Sequence, residues 1–352
     1  MFLYRLFIIN KMTSKFPWLV PALALLLFAA GCKKDNQAEN ADTTAVETPV
    51  LPKAPAFNAD SAYVYTAKQV AFGPRVPNSK AHVATGNWII DKFKSFGLSV
   101  REQPFEAMAF DGKMLRSRNI IAQFNPQAGR RVAVFAHWDT RPFADKDKEK
   151  KNAPLDGASD GASGVGIALE MARQLSIQPD SLEPNVGVDF ILFDSEDYGY
   201  DESTQSELKN RITDGTDSWC LGSQYWAKNK VPANYNPSFG ILLDMVGAQN
   251  AKFSREELSV QNAKDVVDKV WNNASGLGYS DYFLFQSAPG IDDDHVYTNQ
   301  AGVRTIDIID HLPVGDEYFP AYHHTTLDNM DIIDKRTLKA VGQTVLTTIY
   351  GE

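Results

Sequence analysis

Three apolar segments with the composition of buried β-strands each end in side chains that bind metals or carry protons. The segments are residues 132–136, 188–193 and 239–243. The groups that follow them are His137, Asp139, Glu196, Asp197 and Asp244. In open α/β sheets, catalytic groups collect beyond the carboxyl ends of the strands, so these side chains are expected to meet. Imidazole and carboxylate groups brought together in this way predict a metal site.

A glycine-rich segment, residues 157–164, carries a further carboxylate, Asp160, at the start of an apolar helical stripe. A phosphate-binding loop is the rival interpretation. No Gly-Lys-Ser/Thr follows, however, and carboxylates would repel a phosphate. With His324 near the C-terminus, the chain offers enough His and Asp for three ligands and one open position, which is the catalytic zinc arrangement. Oxygen ligands also suit magnesium or calcium, but histidine favours zinc.

The adjacent acids Glu196 and Asp197 suggest divided roles. One carboxylate would bind the metal while the other stays free as a base. The alternative is an acidic turn on the surface, which the preceding buried strand makes a weaker explanation. His82 lies on a predicted helix, far from any carboxylate cluster, and is interpreted as structural. Cys220 is interpreted as a buried apolar thiol rather than a nucleophile.

The first 56 residues predict export and anchoring rather than folded structure. Residues 1–31 combine a cationic start, a short apolar run and small residues, as in a signal peptide. The final Ala-Ala-Gly-Cys is similar to a bacterial lipobox, which implies a lipidated Cys32; the alternative is an ordinary signal peptide with a chance cysteine. Residues 32–56 are polar and predict a flexible tether. We therefore expect a lipid-anchored protein of the bacterial cell envelope, periplasmic or on the outer membrane.

Residues 57–352 form a single predicted α/β catalytic domain, long enough to bury a large core. The net charge of -9 argues against nucleic acid as a partner. With two cysteines in the chain, a disulfide framework and a cysteine-rich zinc site are both excluded. Helices are predicted at about residues 58–71, 79–97, 263–273 and 334–349.

The order of these groups resembles the zinc aminopeptidase clan and its relatives, the animal-type glutaminyl cyclases. The pattern runs His-x-Asp, Asp in a glycine-rich loop, Glu-Asp, Asp, His-His-Thr, and the resemblance extends from Phe72 to the C-terminus. It includes Phe-Gly-Pro-Arg at residues 72–75 and Leu-x-x-Ala-Arg at residues 169–173. The resemblance implies a mixed, mainly parallel central sheet with helices on both faces.

The two branches of the resemblance imply different chemistry. An aminopeptidase would bind two zinc ions, with Asp160 bridging, Asp197 and His324 on one ion, and His137 and Asp244 on the other. A cyclase would bind one zinc through Asp160, Asp197 and His324. In it Glu196 would shuttle a proton, Asp244 and Asp293 would form an acid network with Glu196, and His137 would lie outside the ligand shell.

Three segments favour the cyclase. Residues 292–295 resemble its Asp-Asp-His segment, residues 243–253 its Leu-Asp-Leu-Ile-Gly-Ala-Pro-Asn-x-x-Phe, and residues 324–329 its His-Thr-Met-Asp-Asp-Asn. Two positions depart from it, since His323 stands where animal cyclases have Trp, and the Trp near the paired acids has no match at the same spacing. Trp219, and less so Trp138, could supply that aromatic wall.

The expected activity is therefore conversion of the N-terminal Gln of peptides or proteins to pyroglutamate, with release of ammonia. The runner-up is a two-zinc aminopeptidase that hydrolyses N-terminal residues. An inactive surface lipoprotein that uses the same fold for binding is a third, weaker alternative, because every chemical position of the pattern is filled.

Overall fold

The computed structural model describes residues 51–179, 182–200, 218–312 and 318–352. The predicted signal peptide, Cys32 and most of the predicted tether lie outside the described residues, and the domain boundaries stay predictions. Among the described residues, no helix combines the length and apolar character needed to cross a bilayer.

A six-stranded mixed sheet forms the centre of the domain. The strands of this sheet and of a second, two-stranded sheet are β1 (Ser99–Met108), β2 (Met114–Phe124), β3 (Arg130–His137), β4 (Val186–Phe193), β5 (Phe239–Asp244), β6 (Phe253–Glu256), β7 (Phe283–Ala288) and β8 (Thr305–Ile309). The central sheet has the order β1-β2-β4-β3-β5-β8, and its β4, β3, β5 and β8 are parallel. β1 and β2 pair antiparallel at one edge, while β6 and β7 form a separate parallel pair.

Helices cover both faces of the central sheet. They are α1 (Ala59–Val70), α2 (Lys80–Ser95), α3 (Ala162–Ile177), α4 (Leu221–Lys228), α5 (Glu257–Gly276), α6 (Asp294–Gln300) and α7 (Lys335–Ile349). Side chains of α1, α2, α3, α5 and α7 share one core with one face of the strands, whereas Trp226 of α4 packs into the core on the other face. The predicted mixed, mainly parallel α/β fold is confirmed.

The parallel strands are buried on both faces, which explains their continuous apolar sequences. In β3, Val132, Val134 and Ala136 point into the larger core, while Ala133 and Phe135 point into the smaller one. Every residue of β4 is buried. The residues of β3, β4 and β5 that belong to the predicted site therefore lie at the strand ends or beyond them, where the sheet stops.

The predicted helix starts are confirmed where a capping side chain marks them. Asn58 accepts a hydrogen bond from Ser61 N before α1, and Ser79 accepts one from His82 N before α2. Helix α5 begins six residues earlier than predicted, at Glu257. Ala263, where the predicted helix began, has φ -149°, so the helix is kinked there but does not end. The short strands β6 and β7 were not predicted.

Helix α3 lies unusually close to the sheet at Gly164. A Cβ atom at this position would lie 2.3 Å from the backbone oxygen of Leu243 in β5 and 3.1 Å from the side chain of Ala136 in β3. The missing side chain therefore lets α3 and the preceding Asp160 approach the strand ends.

Replacement of Gly164 by Ala should lower the free energy of unfolding by about 1–3 kcal/mol, because the added methyl group overpacks this contact. In an unconstrained helix the same change would instead be stabilising by about 1 kcal/mol. Urea unfolding of the variant measures the difference. Ile177→Ala, at an exposed position on the same helix, is the matched control and should change little. A Gly164→Ala protein as stable as the wild type would contradict this account.

Candidate active site

The carboxyl ends of the parallel strands border a cavity of about 380 Å³. The predicted site residues that line it are Asp160, Glu196, Trp219, Asp244, Asp293, His323 and His324. Asp197 and His137 lie next to this lining, in contact with His324 and Asp160 respectively. All the residues predicted to form the site are therefore brought together, although they come from distant parts of the chain.

His324 lies close to Asp197 and Asp160, the two other predicted ligands, although the possible metal group among the described residues that contains His324 consists of Asp160, His323 and His324. The Nε2 atom of His324 lies 3.3 Å from Oδ1 of Asp197 and 4.0 Å from Oδ2 of Asp160. Ligand atoms about 2.1 Å from a tetrahedral zinc ion lie about 3.4 Å from one another, close to these separations. Oδ1 of Asp197 is buried and accepts no hydrogen bond from the described residues. The donor types, and the buried Asp197 oxygen that accepts no hydrogen bond from the described residues, fit a zinc ion.

The protonation of His324 also suits a ligand. Burial, together with the cations Arg141 and Lys146, lowers the pKa of His324 well below its usual value. The imidazole is then neutral, as metal binding requires. On the other side of the ring, Nδ1 lies 3.8 Å from the carboxylate of Asp145. This distance exceeds that of a hydrogen bond, and Nδ1 has no hydrogen-bond partner among the described residues.

The loop that carries Asp160 is held by its backbone. Asp328 accepts hydrogen bonds from Ser159 N at 2.7 Å and from Asp160 N at 3.1 Å. The buried guanidinium of Arg75 donates to the backbone oxygens of Trp138 and Gly157. These bonds leave the Asp160 side chain free to face the cavity.

A strained turn presents the paired acids. Ser195 has φ 58°, in the left-handed region, so the chain turns sharply after β4. Asp139 stabilises this turn by accepting hydrogen bonds from Glu196 N at 3.1 Å and Asp197 N at 3.3 Å. As a result, Asp197 points towards His324, whereas Glu196 lines the cavity.

Glu196 lies among other acids in a mostly buried environment. Burial, and then the charges of Asp197 and Asp293, raise its pKa well above the usual value, although His137 opposes this shift. Carboxylate oxygens of Glu196 and Asp293 and the sulfur of Cys220 lie within 4.8 Å of one another. Cys220 is buried, as predicted, but its thiol contacts Glu196 Oε1 at 3.3 Å, so its surroundings are polar rather than apolar. Burial raises the pKa of this thiol well above its usual value, which argues against a thiolate nucleophile.

His137 bridges two of the acids. Its Nε2 atom lies 3.0 Å from Asp160 Oδ1 and 3.1 Å from Asp244 Oδ1. Burial alone would lower the pKa of His137, but the neighbouring carboxylates of Asp139, Asp160 and Asp244 raise it well above the usual value. Burial raises the pKa of Asp244 to about 7. The same three side chains, His137, Asp160 and Asp244, also have the spacing of a possible metal group.

Aromatic rings form one wall of the cavity. The ring of Trp219 lies parallel to His324, with centroids 5.6 Å apart, and a Cβ atom on Gly199 would collide with Trp219. His323 packs between Phe319 and His324, at centroid distances of 4.2 Å and 3.7 Å. The predicted pocket positions of Trp219 and His323 therefore agree with the structure, while their roles stay predictions.

Trp138 is not part of the aromatic wall of the cavity. It is fully buried and stacks on His82, with centroids 4.3 Å apart, so it does not line the cavity. His82 itself was predicted to lie far from any carboxylate, and this was wrong. Its Nε2 atom lies 2.8 Å from Asp194 Oδ1, because helix α2 packs beside the end of β4.

Asp139 was predicted to belong to the site, since it follows His137 by two residues at a strand end, but its partners were not predicted. It accepts hydrogen bonds from the backbone of Glu196 and Asp197. Asp328, which accepts hydrogen bonds from Ser159 N and Asp160 N, and Asp145, which lies 3.8 Å from the His324 ring, were not predicted to belong to the site. Neither has a local signal in the sequence, because tertiary contacts set their partners.

Comparison with known proteins agrees with this geometry. The profile of "Peptidase family M28" matches residues 119–349. Aminopeptidase YwaD of Bacillus subtilis is 29% identical over 248 residues, which are 66% of this chain and 44% of that protein, so the chain spans under half of that relative's length. The glutaminyl-peptide cyclotransferase of Bothrops jararaca is 26% identical over 281 residues, 75% of this chain and 73% of the relative.

Two solved structures are more similar. A Zn-dependent exopeptidase from Parabacteroides distasonis is 48% identical, with a TM-score of 0.79, and the alignment covers 85% of this chain and 100% of that one. A glutaminyl cyclase from Bacteroides thetaiotaomicron, bound to N-acetylhistamine, is 47% identical with a TM-score of 0.78 and the same coverage. These similarities support zinc as the metal and confirm the predicted resemblance to the zinc aminopeptidase clan and its cyclases. The chain is an enzyme that belongs to peptidase family M28.

Proposed function

We propose that the protein is a glutaminyl-peptide cyclotransferase, which converts the N-terminal Gln of peptides or proteins to pyroglutamate and releases ammonia. The observation that carries this proposal is the group of acids around Glu196, in which Asp244 and Asp293 both have raised pKa values and border the cavity. The 47% identity to a bacterial glutaminyl cyclase supports the same activity.

For ring closure, the protein does not have to bring two separate reactants together. The α-amine of an N-terminal Gln lies in the same residue as the γ-amide that it attacks, so little orientation entropy has to be lost. The new bond joins the α-nitrogen to the carbonyl carbon of the side-chain amide, and the bond from that carbon to the amide nitrogen breaks and releases ammonia. The protein must move a proton between these two nitrogens.

Asp160, Asp197 and His324 would hold one zinc ion. When bound, the ion supplies a Lewis acid that polarises the γ-carbonyl group. The Nε2 atom of His137 lies 3.0 Å from Asp160 and 3.1 Å from Asp244, and a proton on this nitrogen would occupy the space between those carboxylates, which supports one ion rather than two.

Glu196 is the proton carrier in this proposal. Its carboxylate takes a proton from the attacking α-amine and returns it to the departing nitrogen. A carboxyl group with a raised pKa suits both steps, because it accepts and releases protons near neutral pH. Asp244 and Asp293 would hold a shared proton beside Glu196 and limit the negative charge of the cavity.

A two-zinc aminopeptidase is the second candidate. It is favoured by one observation, namely that His137, Asp160 and Asp244 also have the spacing of a metal group. In that enzyme Glu196 would activate water for attack on a peptide carbonyl. The similarity to the aminopeptidase YwaD supports this alternative.

For the cellular setting, we propose that a lipidated Cys32 anchors the enzyme in the bacterial envelope, as a periplasmic or outer-membrane lipoprotein. Its partners would be peptides or proteins with an N-terminal Gln. The signal-peptide composition of residues 1–31 supports this location.

Replacement of Glu196 by Gln should lower kcat for ammonia release from Gln-peptides by about 10²- to 10⁴-fold, because the proton carrier is lost. A coupled ammonia assay measures the rate. Asp292→Asn is the matched control, since this neighbouring carboxylate lines the cavity but is exposed. Full activity of Glu196→Gln would exclude the mechanism, and Leu-peptide cleavage without ammonia release from Gln-peptides would favour the aminopeptidase.

Metal analysis of purified protein should give one zinc per chain, and His324→Ala should reduce this content strongly because one of three ligands is removed. His311→Ala is the control, since this histidine also lines the cavity but belongs to none of the possible metal groups among the described residues. Two tightly bound zinc ions in the wild type would contradict the one-zinc proposal.

Replacement of Cys32 by Ser should move the protein from the membrane fraction to the soluble fraction of its host. The reason is that buried acyl chains, at about 0.8 kcal/mol per methylene group, provide the anchor. Cys220→Ser, at the other cysteine of the chain, should leave the distribution unchanged. If Cys32→Ser stays in the membrane fraction, the lipid anchor is excluded.

A further inference from the structure

Glu256 is a fully buried acid that the proposed mechanism does not use. It lies at the junction of β6 and α5, and its two carboxylate oxygens receive several donors. Oε1 accepts from Leu258 N at 2.7 Å and from Ile291 N at 3.0 Å, while Oε2 accepts from Ser259 N at 2.6 Å. The Nε2 atom of His295 lies 3.3 Å from Oε2.

These contacts exceed what a helix cap needs. Residues that cap helices are usually short, such as Ser, Thr, Asp and Asn, and Glu is not among the preferred types. The longer side chain of Glu256 caps α5 and also reaches two groups outside that helix, Ile291 and His295. Burial would raise the pKa of Glu256, but the contacts with His295 and Ser259 outweigh it and lower the value to about 2. Glu256 is therefore a fixed negative charge.

Both outside contacts belong to the segment that carries Asp293. Gly290, Ile291 and Asp293 line the cavity, and a Cβ atom on Gly290 would lie 2.9 Å from Leu258 and 3.4 Å from Glu256 Oε1. The segment thus rests directly on the start of α5. His295 lies in α6, two residues beyond Asp293, which is the N-cap residue of that helix.

Asp293 is the residue of the active site that lies between these two contacts of Glu256 in the chain. One of its oxygens accepts from the backbone N–H of Asp294, so the start of α6 fixes its direction. The other oxygen, Oδ2, has no hydrogen-bond partner among the described residues. A carboxylate oxygen of Asp293 lies within 4.8 Å of one from Glu196. A shift of the segment would therefore change the distance between the two acids.

We propose that Glu256 is a positioning residue for the active site, which holds residues 290–295 through Ile291 and His295 and so fixes Asp293 relative to Glu196. The proposal rests on the proposed cyclase function, in which Asp293 belongs to the acid network. It assigns Glu256 no contact with the substrate.

Glu256→Gln tests the proposal with minimal change in shape. A glutamine has one acceptor oxygen in place of two, so its NH2 group faces donors and the contacts of Ile291 or His295 are lost. We expect kcat for ammonia release to fall by about ten- to a hundredfold, because a shift of about 1 Å in a catalytic group costs that much. KM and zinc content should change little. Glu257→Gln is the matched control, since this exposed neighbour lies at the same helix start, and it should resemble the wild type.

A double-mutant cycle with Asp293→Asn separates positioning from general loss of structure. If Glu256 acts through Asp293, most of the loss caused by Glu256→Gln should disappear in the Asp293→Asn background. Equal losses in both backgrounds, or a folded Glu256→Gln enzyme with unchanged kcat, would overturn the proposal. Should Glu256→Gln not fold, Glu256→Asp carries the same cycle, because Asp is a preferred helix cap but its side chain is one methylene group too short to keep the contacts with Ile291 and His295.

The wild-type enzyme tests the underlying function separately. Ammonia release by the wild type combined with additive losses in the cycle refutes the role of Glu256 alone. A wild type that releases no ammonia from Gln-peptides refutes the cyclase function and this inference with it.

Discussion

The buried negative charge at one edge of the sheet is the constraint on which the rest of the structure depends. Asp160, Asp197, Asp244 and Asp293 are all buried, and Glu196 is mostly so. Carboxylates removed from water and placed side by side repel one another, so each needs a proton, a hydrogen-bond donor or a cation. Burial, and after it the charges of the neighbouring carboxylates, raise the pKa values of Glu196, Asp197, Asp244 and Asp293.

The fold supplies the compensation with backbone groups and buried cations. Asp139 and Asp328 use backbone N–H groups to fix the two segments that carry Glu196, Asp197 and Asp160. Arg75 and His137 add positive charge from inside the domain. Asp197 Oδ1 receives no such hydrogen bond from the described residues, and a dication held by Asp160, Asp197 and His324 would supply the missing positive charge. Removal of that ion would leave repulsion between Asp160 and Asp197.

The same constraint relates the two candidate activities. An aminopeptidase and a cyclase can be built from similar side chains, and the charge between Asp160 and Asp244 decides which one results. A second dication there would prepare water for peptide hydrolysis, whereas a proton on His137 would leave one ion and Glu196 would carry protons. Nearby acids such as Asp293, and the residues that hold them, then influence activity without touching the metal.

The sequence by itself determined the parallel strands that lead into the site, the caps of α1 and α2 and the identities of most site residues. Apolar runs that end in His or Asp are local signals, and so are Asn58 and Ser79 as helix starts, because one short segment contains both the element and its boundary. Tertiary structure alone decided the pairing of His82 with Asp194, the contact of Cys220 with Glu196 and the role of Glu256. Each of these depends on which segments pack together, since His82 and Asp194 are 112 residues apart and Glu256 and Ile291 are 35 apart. Hydrogen bonds across such separations are set by the packing of α2, α5 and α6 against the sheet, and a local pattern does not encode that packing.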